Sequence, residues 1–185
     1  MMEEREYNIT VFTENFVGLL NRITIIFTRR HINIESLTVS ASELPGIHRF
    51  TIVVNVTEDM VKKVVKQINK QVEVLRASYH TDDDIIYQEI ALYKVPTKAF
   101  AHGDNVEKLI RSSNARILEV EPEYIVIEKS GHKNETHEFF EQLKPFGILQ
   151  FARSGRVAIT KQTKELSSYL KEMDEQQAYS VINHH

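Results

Sequence analysis

The apolar positions of this chain switch between two spacings, and each switch marks the border of an element. Tyr7, Ile9 and Val11 alternate with Asn8, Thr10 and Phe12, which predicts a strand over residues 7–13. A short turn follows, Glu14-Asn15-Phe16-Val17-Gly18. From Leu19 the spacing lengthens: Leu19, Leu20, Ile23, Ile26 and Phe27 make one apolar helix face, with Asn21, Arg22, Thr28 and Arg29 toward water. This helix is predicted to stop near Arg30-His31, where the arginines suit the negative end of its dipole. Residues 34–42 and 47–56 read as strands joined through Glu43-Leu44-Pro45-Gly46, whose Pro-Gly pair fits a type II turn. Thr57 caps a second helix carrying Met60, Val61, Val64, Val65 and Ile68, and residues 72–79 form a fourth strand.

That order, β-α-β-β-α-β, is the ferredoxin-like arrangement. The polar, acidic stretch His80-Thr81-Asp82-Asp83-Asp84 marks a boundary, and beyond it the same order repeats. Residues 85–95 form a strand stopped by Pro96, and residues 97–103 a loop. Asp104 with Glu107 resembles a capping box ahead of Val106, Leu109 and Ile110. Strands over 115–121 and 123–129 meet at Pro122. Thr136, Phe139, Phe140 and Leu143 line a helix that ends at Pro145-Phe146-Gly147, and a closing strand over 148–152 resumes at 157–159. The expected class is α+β, with ferredoxin-like domains over residues 6–80 and 85–160. A tail over 161–185 is predicted to be helical from Leu166, Tyr169, Leu170 and Met173.

Composition narrows the chemistry. The chain has 185 residues, 42% hydrophobic and 26% charged, as expected of a globular protein. Domains of about 80 to 90 residues have modest cores, so pairing with a second copy is expected. There are no cysteines, which removes disulfides, thiolate metal sites and cysteine nucleophiles. A net charge of −3 argues against a polyanion partner such as nucleic acid. No apolar run reaches the roughly 18 residues of a membrane span, and the N-terminus is acidic rather than signal-like. A cytoplasmic location is expected.

The first strand-to-helix turn carries the most information. A helix N-terminus offers unpaired N–H groups and the positive end of the dipole, which suit a carboxylate. Gly18 lets a ligand approach the backbone, and Asn15 offers an amide donor and acceptor. A free amino acid, with its carboxylate, ammonium and apolar side chain, matches that chemistry. The same residues also suit a plain turn, Gly18 for its freedom and Asn15 as a cap. Asn33, where the chain leaves the first helix, is either a left-handed turn residue or a second amide for the ligand.

Two stretches, residues 14–23 (ENFVGLLNRI) and residues 29–39 (RRHINIESLTV), resemble the ACT domain of acetolactate synthase small subunits. Asn33-Ile34-Glu35-Ser36-Leu37-Thr38-Val39 is the most specific part. Val72-Glu73-Val74-Leu75-Arg76 and Phe151-Ala152-Arg153-Ser154-Gly155 extend the likeness, which covers roughly residues 6–160. The resemblance implies a non-catalytic regulatory subunit that dimerises through its ACT domain. It would bind valine, leucine or isoleucine at the dimer interface and associate with a large catalytic subunit. That large subunit would carry thiamine diphosphate, Mg²⁺ and FAD, with no cofactor on this chain. The implied effector positions are Asn15, Gly18 and Asn33, with Val17, Leu19, Leu20 and Ile34 around them. Arg153, Ser154 and Gly155 would contact the large subunit. His31 stands where the family usually has glycine, at the left-handed end of the helix.

Other readings are weaker. An RNA-recognition module shares the β-α-β-β-α-β order, but the third strand, Ile47-His48-Arg49-Phe50-Thr51-Ile52-Val53, has one aromatic and no base-stacking motif. His132 and His137 are spaced five apart, off the helical metal-ligand spacing, and Asp82-Asp83-Asp84 suits a solvated linker. No nucleophile triad or phosphate-binding loop is present. The alternative in another class is a stand-alone ACT-type amino-acid-binding regulator with a different partner.

Overall fold

The computed structural model describes residues 3–100, 105–162 and 168. The tail helix expected from Leu166, Tyr169, Leu170 and Met173, and the cap expected at Asp104, lie outside the described residues. The chain divides into two compact units, one of residues 1–35, 39–86 and 159–185, the other of residues 36–38 and 87–158. Both show the expected βαββαβ order, so the fold is α+β with two ferredoxin-like domains.

In the first domain β1 is Arg5–Glu14, α1 Leu19–Thr28, β2 Ser36–Ala41, β3 Ile47–Val56, α2 Glu58–Ile68 and β4 Val74–His80. The sheet order is β2-β3-β1-β4. β1 lies centrally, antiparallel to both neighbours, with Ile9 opposite Ile52 on one side and Tyr79 on the other. Residues directly opposite share a face, so Tyr7, Ile9 and Val11 join Val54, Ile52 and Phe50 in one apolar surface. Leu19, Ile23, Ile26 and Phe27 of α1 and Val61, Val64, Val65 and Ile68 of α2 complete the buried core. Thr57 caps α2, its hydroxyl accepting from the Met60 N–H at 3.4 Å. Gly46, at φ 77, forms the left-handed corner of the hairpin between β2 and β3, and Ile47 N donates to Leu44 O across it at 3.2 Å.

Some details differ from the sequence pattern, among them the fourth strand, which begins at Val74 rather than residue 72. Leu20 was expected on the buried face of α1 but is 47% exposed. It is the second residue of the helix, rotated about 100° from Leu19, and only Leu19 points at the sheet. The second strand begins at Ser36 rather than residue 34, so Asn33 and Ile34 belong to the loop before it.

In the second domain β5 is Ile85–Pro96, α3 Asn105–Ser112, β6 Arg116–Val120, β7 Tyr124–Gly131, α4 Lys133–Leu143, β8 Gln150–Arg153 and β9 Val157–Thr160. The sheet runs β6-β7-β5-β8, with β9 also pairing β5. Ala91, Tyr93, Val95, Val106, Ile110, Ile125, Ile127, Phe139 and Leu143 form its core. Tyr93 is fully buried and donates its hydroxyl to Thr136 O at 2.6 Å, so its polar tip is satisfied inside the core. Burial pushes the Tyr93 phenol up to about 12.

Candidate functional site

The turn between β1 and α1 is held from two sides by backbone bonds. Asn15 N donates to Gly46 O at 2.9 Å, tying it to the β2–β3 hairpin. Glu14 N donates to Glu73 O at 3.0 Å, tying it to the segment ahead of β4. The Glu73 side chain adds a third anchor, accepting from Arg22 Nη2 of α1 at 2.7 Å. That hydrogen bond holds the Glu73 carboxyl below the usual carboxylate range. Neither Arg22 nor Glu73 was singled out as a site residue by sequence, because the pair is separated by 51 positions.

Gly18 sits at the head of α1 with φ 83, a left-handed conformation. A Cβ built there would meet nothing within 4 Å, so glycine is favoured by its backbone angle and not by crowding. No side chain caps α1, and Asn15 therefore does not serve as its cap. Leu19 N reaches Phe16 O at 3.3 Å, leaving the following first-turn amides at an open helix start. Around this start the surface is unusually apolar for a turn. Val17 is 97% exposed, Phe16 59% and Leu20 47%.

Of the residues expected to bind the effector, Asn15, Val17, Gly18 and Leu20 are exposed at this turn, whereas Leu19 is buried and supports it from beneath. Asn33 is exposed, Ile34 partly so, and both lie in the loop after α1. Asn33 Nδ2 donates to Glu35 Oε1 at 2.9 Å, so within one chain its amide points at its own loop. His31 holds the left-handed position at the end of α1 with φ 55. The two groups, Asn15 to Leu20 and Asn33 to Ile34, lie beyond opposite ends of α1. A ten-residue helix spans about 15 Å, so one small amino acid cannot touch both ends of the same α1.

In the second domain Arg153 is used internally. Its Nε lies 3.3 Å from Oε2 of Glu89, a buried carboxylate, and Arg156 Nε lies 3.8 Å from Oε1 of the same group. The Arg156 guanidinium also stacks on Tyr87, 3.9 Å from its ring centre. Ser154 bonds in both directions with β5, its N–H to Ile90 O at 2.8 Å and its Oγ from Ile90 N at 2.9 Å. Ser154 itself remains exposed. Glu89 and Arg156 escaped the sequence reading, since a buried ion pair leaves no periodic signal. Among the described residues no group of three His, Asp or Glu side chains gathers to hold a metal. No helix of the described residues is long and apolar enough to cross a membrane.

Two ferredoxin-like domains, the first with an open, apolar helix start at its β1–α1 turn, define an ACT-type regulatory architecture. Comparison with known proteins gives the same class and narrows it. Residues 4–76 match the model of the AHAS small subunit-like ACT domain, and residues 88–162 match that of the small subunit of acetolactate synthase. The acetolactate synthase small subunit of Bacillus subtilis is 38% identical over 161 residues, covering 86% of this chain and 93% of the relative. The probable acetolactate synthase small subunit of Archaeoglobus fulgidus is 34% identical, covering 86% and 99%. The crystal structure of the Thermotoga maritima acetolactate synthase small subunit superposes with a TM-score of 0.78 at 27% identity, covering 86% and 99%. The chain belongs to the acetolactate synthase small-subunit family.

Proposed function

We propose that this chain is the non-catalytic regulatory subunit that activates an acetolactate synthase large subunit in the cytoplasm and makes it sensitive to valine, leucine or isoleucine. The observation that carries the effector role is the uncapped start of α1 at left-handed Gly18, ringed by exposed Phe16, Val17 and Leu20. Free amides and the helix dipole suit the effector's carboxylate, and the apolar rim suits its side chain. Because Asn15 and Asn33 lie beyond opposite ends of α1, the proposed site needs two copies of the ACT domain. One copy offers Asn15, Val17, Gly18 and Leu20, with buried Leu19 supporting the turn from beneath, and the other offers Asn33 and Ile34.

An effector held between two copies favours one arrangement of them, and only that differential affinity can change activation. A coupling of about 1–3 kcal/mol between effector and large subunit is the usual range. The large subunit supplies all the chemistry, through thiamine diphosphate, Mg²⁺ and FAD. The stretch Arg153-Ser154-Gly155 contributes to its contact, with Arg153 set in place by Glu89.

The test is to mix the purified chain with an acetolactate synthase large subunit and titrate the three branched-chain amino acids. Raised activity that falls again with effector supports the reading. Unchanged activity with no effector sensitivity removes it.

A further inference from the structure

The strand β6, Arg116–Val120, is the outermost strand of the second sheet and every one of its residues is exposed. Among the described residues it pairs only with β7, so its other edge presents unpaired backbone N–H and C=O groups. Its side chains are apolar for an edge: Ile117 is 42% exposed, Leu118 48% and Val120 64%. It carries neither lysine nor proline, two of the residues that commonly block pairing at an open edge.

The register with β7 places its two charges. Arg116 lies opposite Glu128 and Ile117 opposite Ile127, after which a bulge at Leu118 shifts the pairing so that Glu119 faces Val126. Without the bulge, residues three apart would point to opposite faces. With it, Arg116 and Glu119 stand on the same face, since Glu128 and Val126 are two apart on β7. Ile117 and Val120 share the other face, opposite Ile127 and the buried Ile125.

We infer that β6 pairs antiparallel with β6 of a second copy of this chain, joining the two second-domain sheets edge to edge. In the register that sets Arg116 of one copy opposite Glu119 of the other, the two-fold repeats the pair. Ile117 then meets Leu118 in both directions. Both charges fall on the same face across the seam, where Arg116, exposed although bonded within its own chain to Glu128 of β7, lies directly opposite Glu119 of the other copy, a pair of opposite sign. A two-fold contact is self-complementary by construction, and this five-residue edge carries one positive and one negative residue in that relation. The contact is separate from pairing through the ACT domain and stands whether or not the effector proposal holds.

The absence of cysteine makes the test clean. Arg116→Cys and Glu119→Cys are made as separate full-length proteins and oxidised alone and mixed. A disulfide dimer that forms in the mixture and is at least fivefold weaker in either variant alone supports the antiparallel register. No link in the mixture, or equal links in the separate variants, overturns it, and so does a β6 edge that instead serves the large subunit.

Discussion

His31 and Asn114 hold the same place in the two domains, each in the left-handed conformation just past a helix, at φ 55 and φ 52. In both, the next residue's N–H reaches back to a carbonyl of the last turn, Ile32 to Phe27 O and Ala115 to Ile110 O, each at 3.0 Å. This is the Schellman way of ending a helix, which glycine usually serves. Asparagine tolerates the left-handed region better than most residues, whereas histidine bears a larger steric cost.

His31→Gly should therefore stabilise the first domain by about 1 kcal/mol, less the entropy that glycine adds to the unfolded chain. Urea unfolding of the two proteins measures it. A loss of stability would mean that the His31 ring makes contacts worth more than the strain.

Arg22→Ala removes the hydrogen bond that depresses Glu73. The Glu73 pKa should return toward the ordinary carboxylate range, which a carboxyl-carbon NMR titration reads directly. A depressed folded-state pKa adds stability that is present above the unfolded carboxylate pKa and is lost as pH falls through the folded one. The variant's stability should accordingly fall off less steeply in acid than that of the parent. Because Arg22 also braces the turn at which the effector is proposed to bind, the effector dose response should shift to higher concentration.

Gly18→Ala and Gly18→Asp separate strain from charge. Both place a Cβ at φ 83 and should cost about 1–2 kcal/mol. Only aspartate sets a negative charge where the effector carboxylate is proposed. Inhibition should be weaker in the aspartate variant than in the alanine variant, with large-subunit association kept in both. Equal dose-response curves for the two would separate Gly18 from the effector.

Tyr93 ties the second domain's stability to alkaline pH. Its phenol is raised to about 12 by burial, so the folded state favours the neutral form. That contribution is complete below the unfolded tyrosine pKa of about 10 and is lost as pH rises toward the folded value. Tyr93→Phe should be less stable at neutral pH, by about 1 kcal/mol for the lost bond to Thr136 O. It should also lose less on raising the pH, which melting curves across that range would show.

Much of the local backbone geometry around α1 was visible as pattern in the sequence. The Glu14-to-Gly18 turn, the left-handed end of α1 and the Pro-Gly hairpin are each set by neighbours in the chain, so residue type and spacing disclose them. Arg22 with Glu73, and Glu89 with Arg153, join distant segments, and nothing in either segment announces the other. Leu20 shows the limit within a single helix: two adjacent leucines look alike in sequence, and only the sheet beneath α1 selects Leu19 for burial.

The sequence by itself determined the order and type of the elements, because the spacing of apolar residues already states which face of each helix or strand leaves water. It also carried the family motifs, since these are runs of neighbouring residues. Tertiary structure alone decided which carboxylates are paired and which strand edge stays open. Register and pairing of this kind arise only when distant segments meet.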